Sequence, residues 1–285
     1  MDAPGISVVI PTGSVDADLL TQLRAVTAQA SDIPFEVVVS LNTPDPAART
    51  ALDAMLAELG DARVRWIDSS ASRGAAPARN AGAEAARGEL LLFCDGDDIV
   101  RPGWIANLSS ALTRAEGGFD AVSGLCVDFS EEGDVPKWLA PPPDDELPRF
   151  MGRPYLLSGN LGIHRSAFQK VHGFDSSLTR CEDVDMSWRL VAEGLTIGFE
   201  PTAVLDYRIR PSLWTMLRQH YFYGIGQTEV LLRHPDGDGS GAGSALRANN
   251  AKGGLRSPVA VLRKVAIASG RVAGLVQAKL GRGPS

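Results

Sequence analysis

Four short apolar runs, Ile6–Ile10, Phe35–Val39, Val64–Ile67 and Leu90–Phe93, recur through the first third of the chain, and an amphipathic stretch separates each from the next. Runs this short and this continuous read as strands buried on both faces, the pattern of parallel strands. The stretches between them carry helix punctuation. Leu19, Leu20, Leu23 and Val26 share one face of segment 16–30. Pro46 opens segment 46–59 and Gly60 follows it, while segment 75–86 closes at Gly88. Strand and helix alternating at this spacing predict an α/β fold, a mostly parallel sheet flanked by helices and joined by right-handed crossovers.

Past residue 100 the regularity thins. Helices are expected over 102–115, 181–194 and 212–233, and strands over 120–129 and 155–164. Residues 130–150 are acidic and Pro-rich, with Pro141-Pro-Pro143 beside Asp144-Asp-Glu146, and read as a loop of the length that functional lids have. Residues 235–254, rich in Gly, Ser, Asp and Asn, read as a flexible linker between a domain over 1–234 and a tail over 255–285. In the tail, 258–280 suits a basic amphipathic helix, with Val259, Leu262, Val265, Val272 and Val276 on one side and Ile267 and Leu275 off it.

A chain of 285 residues buries enough apolar surface to fold without disulfides. Cys94, Cys126 and Cys181 show no framework or metal-ligand spacing, which fits a reducing cytosol. Nothing before the first strand reads as a signal peptide, and no apolar run is long enough to span a bilayer. The formal charge of −6 conceals an asymmetry: after Asp238 come eight basic residues and no acid, which leaves −14 on the remainder. A basic tail of this kind points to an anionic partner.

The chemistry concentrates where Leu90-Leu-Leu-Phe-Cys-Asp-Gly-Asp-Asp98 ends. Open α/β sheets bind ligands at the carboxyl ends of their strands. Asp95, Asp97 and Asp98 repel one another unless a hard cation or hydrogen-bond donors sit among them, and Mg²⁺ commonly joins one or two carboxylates to substrate phosphates. An acidic turn capping the helix at Pro102 accounts for the same residues. Upstream, Arg73-Gly-Ala-Ala-Pro-Ala-Arg-Asn-Ala-Gly82 sets Arg79 and Asn80 near a helix start, where phosphate is favoured. Arg79 either binds a diphosphate oxygen or supports the loop that does. Downstream, Glu182, Asp183 and Asp185 open a helix. The helix dipole explains one or two of these acids. One cluster that binds metal and one that takes a proton are together what transfer from a phosphate leaving group requires.

Taken in order, Val8-Val-Ile-Pro-Thr12, Arg73 to Gly82, Asp95-Gly-Asp97-Asp98, His172-Gly-Phe-Asp175 and Glu182-Asp183 resemble the motifs of family 2 glycosyltransferases with the Rossmann-like GT-A fold, over about residues 5–230. The resemblance implies inverting, metal-dependent transfer of a sugar from a nucleotide-diphosphate sugar to a hydroxyl of a glycan or lipid-linked acceptor. Its setting would be cell-envelope or polysaccharide synthesis, cytoplasmic or peripheral on the inner face of the plasma membrane. Of the anionic partners open to the basic tail, a membrane surface then stands ahead of nucleic acid, with packing of the tail helix on the oppositely charged catalytic domain as the equal alternative. Asp97, with Asp95, resembles the ligand set for Mg²⁺ or Mn²⁺, and Asp95 also resembles the residue that faces the nucleotide ribose. Asp183 resembles the general base, with Glu182 orienting the base or the acceptor. Pro11, Thr12, Asn42, Arg73, Arg79, Asn80, Asp95 and Gly96 are the donor-binding residues the resemblance implies.

Two departures stand out. Where the family often has an acidic pair for the base, this chain has Ser40-Leu-Asn-Thr43, so Asn42 or backbone groups must serve. Where many members have a metal-ligating His, it has Asp206-Tyr-Arg-Ile-Arg210, leaving Asp206, Tyr207 or water to substitute. His164, His172, His220 and His234 follow no ligand spacing and read as structural, and the run His220-Tyr-Phe-Tyr223 reads as helix packing. The competing readings are a haloacid dehalogenase-type phosphatase, a sugar nucleotidyltransferase and a non-catalytic nucleotide-sugar-binding scaffold. The first places its Asp-x-Asp on the first strand rather than the fourth.

Overall fold

The computed structural model describes residues 3–130, 146–178, 180–209, 212–235 and 258–280. The four apolar runs form β1 (Ile6–Thr12), β2 (Phe35–Leu41), β3 (Val64–Asp68) and β4 (Leu90–Cys94), parallel and in the order β3-β2-β1-β4. Every residue of β2 and β4 is buried. The period of two explains why the runs are continuously apolar. In β1, Ile6, Val8 and Ile10 pack on one side of the sheet and Val9 on the other.

Local chemistry sets the crossover helices. Asp16 caps α1 (Ala17–Thr27) by accepting from the Asp18 and Leu19 amides. Asp45 caps α2 (Pro46–Leu59), which ends on Gly60 at φ 65°, the left-handed conformation glycine adopts without strain. With α4 (Trp104–Thr113), these two helices cover one face of the sheet. The other face is covered by α3 (Ala75–Ala85), α5 (Arg165–Lys170) and α6 (Glu182–Ala192), where Phe93, Phe168 and Phe174 form a mutually contacting aromatic cluster.

Beyond β4 the sheet turns mixed. β6 (Ala121–Phe129) is not its neighbour, because β9 (Asn160–His164) lies between them, antiparallel to both. β10 (Ile197–Arg208) runs parallel to β6, and β5 (Ile99–Val100) closes the edge. The strand expected over 155–164 forms only from Asn160 onward. The Leu156 and Leu157 amides are taken by the Ser187 and Ser123 hydroxyls, so a ladder does not start there. Residues 149–154 make a separate two-stranded hairpin, β7 (Arg149–Phe150) with β8 (Arg153–Pro154). No continuous apolar run marks β10, which is interrupted at Glu200–Thr202, where its register with β6 shifts.

Two long helices complete the described chain, α7 (Leu213–Arg233) and α8 (Pro258–Lys279). They pack in parallel through small residues: a Cβ on Gly270 would overlap the Tyr221 carbonyl, and one on Gly224 the Ile267 carbonyl. Ile267, off the valine stripe of the tail, therefore sits on the packed side. Of the expected lid over 130–150, residues 131–145 lie outside the described residues, as do residues 236–254 of the expected linker over 235–254 and residues 255–257 of the expected tail. Gly270→Val is expected to destabilise the fold by about 1–3 kcal/mol, the usual effect of overpacking. Urea denaturation checks this, and an unchanged midpoint would mean that α7 and α8 are not in contact.

Candidate functional site

A cleft of about 360 Å³ opens at the carboxyl ends of β1, β2 and β4. Pro11 and Thr12 line it from β1, Asn42 from the end of β2, and Asp95, Gly96 and Asp97 from the acidic turn after β4. Gly74, Ala75, Ala78 and Arg79 bring the start of α3 to the same cleft. That helix begins at Gly74 (φ 128°) with no side-chain cap. Its first-turn amides and dipole therefore make this end of the cleft attractive to phosphate. Gly13, Ser14 and Asp16 also line the cleft and are missing from the sequence reading. The only local signal for them is that Asp16 caps a helix whose start lies at the end of β1.

Not every expected donor residue presents itself to the cleft. The Asn42 amide donates to the Ser69 and Ser72 carbonyls, at 2.5 and 2.8 Å, and its oxygen accepts from the Gly74 amide at 2.9 Å. Its side chain thus braces the loop that feeds α3. Asn80 clamps the turn at Gly173, with its amide donating to the Phe174 carbonyl at 2.7 Å and its oxygen accepting from the Phe174 N–H at 3.0 Å. Neither Asn80 nor the exposed Arg73 is part of the cleft lining.

Arg79 is the hub. Its side chain is 4% exposed and bridges two carboxylates, Asp95 Oδ1 at 2.6 Å and Glu182 Oε1 at 2.9 Å. Burial alone would lower its pKa, but Asp95, Glu182 and Asp183 together raise it, so the guanidinium stays charged. Of the two roles open to Arg79, the geometry is that of the support. One cation ties the turn after β4 to the start of α6.

The start of α6 is itself held in an unusual conformation, since Cys181 sits at φ 61°, uncommon for a residue with a Cβ. Burial, then the neighbouring Glu182 charge, push the Asp183 carboxyl up to about 7, against the opposing pull of the Val184 amide and Arg79. A base poised near neutral pH suits proton abstraction.

Asp98 plays a different part from Asp97. It is 1% exposed, and burial and the Asp95 charge push it up to about 8. Its Oδ1 accepts from the Arg208 amide at 3.0 Å, and Arg208 Nε donates to the Asp97 carbonyl at 2.7 Å. Asp98 thereby fastens β10 to the acidic turn. Asp206, a substitute for the missing His on the sequence reading, is bound by Arg101, whose Nε lies 3.0 Å from both its oxygens. That ion pair on the β5 edge commits the carboxylate elsewhere. Tyr207 lies beside Gln219 and Tyr223 of α7. His164, His220 and His234 bond the Leu112 carbonyl, the Met216 carbonyl and Asp185, while His172 is exposed in a turn. None of the four lines the cleft.

Among the described residues no group of three or more His, Cys, Asp or Glu side chains is placed to hold a metal. The donor set fits a hard ion all the same. Asp97 is an exposed carboxylate in the cleft with Asp95 beside it, and Mg²⁺-like ions take one or two carboxylates and complete their shell with phosphate oxygens and water.

The chain is 29% identical over 173 residues to a pre-mycofactocin glycosyltransferase of Mycobacterium tuberculosis, covering 58% of this chain and 36% of that one, so it spans about a third of that relative's length. It is 29% identical over 253 residues to the succinoglycan biosynthesis protein ExoO of Rhizobium meliloti, covering 83% and 70%. The mannosyltransferase PcManGT of Pyrobaculum calidifontis, solved in complex with GDP-Man and Mn²⁺, superposes with a TM-score of 0.61 at 20% identity, covering 97% of this chain and 84% of that one. It shares the fold, a GT-A α/β architecture. The profile described as Glycosyl transferase family group 2 matches residues 151–264. The profile described as Glycosyl transferase family 2 matches residues 7–171, more than half the chain, and the chain belongs to that family.

Proposed function

We propose that the chain is an inverting, metal-dependent glycosyltransferase. It moves a sugar from a nucleotide-diphosphate sugar to a hydroxyl of a glycan or lipid-linked acceptor in envelope or polysaccharide synthesis, at the cytoplasmic side of an anionic membrane. The observation that carries the reading is the Arg79 bridge, which sets the phosphate-attracting cleft and the poised base on either side of one guanidinium. The relatives' glycan-synthesis names and the GDP-Man and Mn²⁺ of the structural neighbour support the donor class and the metal.

In this reading the donor diphosphate lies against the α3 start and Asp97. A Mg²⁺ or Mn²⁺ ion held by Asp97, with Asp95 beside it, would supply positive charge against the departing diphosphate. Asp183 accepts the acceptor hydroxyl's proton as that oxygen bonds to the anomeric carbon. The bond from that carbon to the diphosphate oxygen breaks on the opposite face, and a single displacement of this kind inverts the centre. Glu182, held by Arg79, keeps the start of α6 in register with the cleft.

The test is ligand-induced stabilisation across a panel of nucleotide sugars with and without Mn²⁺. A ligand at a hundredfold excess over its Kd should add about 2.7 kcal/mol to the native state. Asp97→Asn should abolish the metal-dependent part and transfer with it. Full turnover of that variant, or of the wild type in excess EDTA, would overturn the metal assignment. Failure to hydrolyse any donor in the panel would favour a binding scaffold.

A further inference from the structure

Helix α8 turns Arg263 and Arg271 inward and an apolar side outward. Arg271 is 4% exposed, donates to Gln227 Oε1 at 2.6 and 3.0 Å, and lies 5.9 Å from the Phe150 ring centroid. Arg263 sits against Met216 Sδ at 3.0 Å. The inward side is completed by Gly270 and Gly274 against Gly224 and Thr228 of α7. Between 38% and 61% of the surface of Val261, Leu262, Val265, Val272, Val276 and Leu280 is left exposed. At 1.5 Å per residue this strip runs about 28 Å. Contacts pairing Met216 with Arg263 and Gly224 with Gly270 set Trp214, 76% exposed, level with the first turn of α8.

We infer that the Val261–Leu280 face of α8, with Trp214 at its leading end, is a docking surface for an anionic lipid bilayer. The inference rests on the membrane setting proposed above and names the surface that meets it. Charge decides among the occupants. Helix α8 carries Arg263, Lys264, Arg271 and Lys279 and no acid, so two copies meeting face to face would bring like charges together. An anionic bilayer instead takes the valines and leucines among its acyl chains, while Lys264 and Lys279 of the same helix reach its headgroups. No described helix is long and apolar enough to cross a membrane, so the contact is with the surface.

The full chain should sediment with vesicles of phosphatidylglycerol and phosphatidylcholine, and far less with phosphatidylcholine alone. Raising the salt should weaken binding, because attraction to headgroups is screened. The double variant Val265→Asp, Val272→Asp should lose about 100-fold in partitioning. The milder Val265→Ser, Val272→Ser pair should fall between, with the far-UV spectrum unchanged. Three results would each overturn the inference: no binding at low salt, binding that both pairs leave intact, or a dimer in sedimentation velocity that the Asp pair dissociates. The last would assign the strip to a second copy. Donor hydrolysis without vesicles, unchanged in both pairs, separates failure of this surface from failure of the transferase reading.

Discussion

Replacing Asp183 by Asn is expected to lower kcat by about 10²–10⁴, the usual loss for a positioned base, with donor affinity nearly unchanged. The acid stands at the start of α6 rather than in the donor cleft lining, so its loss should spare ground-state donor binding. Its pH behaviour carries a second test. Asp183 works as a base only when ionised, and its carboxyl is pushed up to about 7, first by burial and then by Glu182. Activity should therefore rise with pH and level off above neutrality. Glu182→Gln removes a negative neighbour, so the Asp183 pKa should fall and the acid limb move to lower pH. kcat and KM measured across pH 5–9 (on the order of a decade either side of the poise that suits general bases) decide it. Loss of donor binding in Asp183→Asn would place the residue in the wrong subsite, and an acid limb indifferent to Glu182→Gln would remove the coupling.

The second large effect is expected at Arg79. Arg79→Met keeps the volume but leaves Asp95 and Glu182 without their shared cation. Removing one partner of a buried pair typically costs about 3–5 kcal/mol, because the other charge stays behind unpaired. Arg79 also holds the Asp183 pKa down, so whatever activity survives should show its acid limb at higher pH than the wild type. Arg79→Lys should recover only part of the loss, since one ammonium cannot span two carboxylates as a guanidinium fork does. Guanidinium denaturation and the pH profile of the residual activity measure the two effects separately. A stable, fully active Arg79→Met would mean that the bridge does not organise the site.

These two residues show how unevenly the chain reveals itself. Asp183 stands out in the sequence because acids that open a helix form a local pattern, and its place in a familiar order of motifs implies its role. The partner that holds Arg79 to α6 is 103 residues away, and no spacing rule connects them. Asn42 and Asn80 show the same limit from the other side. Asn80 lies in one of the family's motifs and Asn42 where the family often has its acidic pair, yet the tertiary fold commits both amides to bracing loops. Asp206 is drawn off by Arg101, again a partner far along the chain.

The sequence alone determined β1 to β4 and α1 to α3, the acidic turn after β4 and the family. Hydrophobic period, helix caps and motif order act within a few residues and leave their marks in the text of the chain. Tertiary structure alone decided that β9 enters antiparallel between β4 and β6, and that it starts only at Asn160, since hydroxyls from β6 and α6 satisfy the backbone just ahead of it. It decided which carboxylates share Arg79, and which of three neighbouring aspartates is buried and which faces the cleft. It also decided that α8 packs on its glycines and leaves its valines outside. An amphipathic pattern shows that a helix has two sides, but only the shape of its neighbour selects the side that packs.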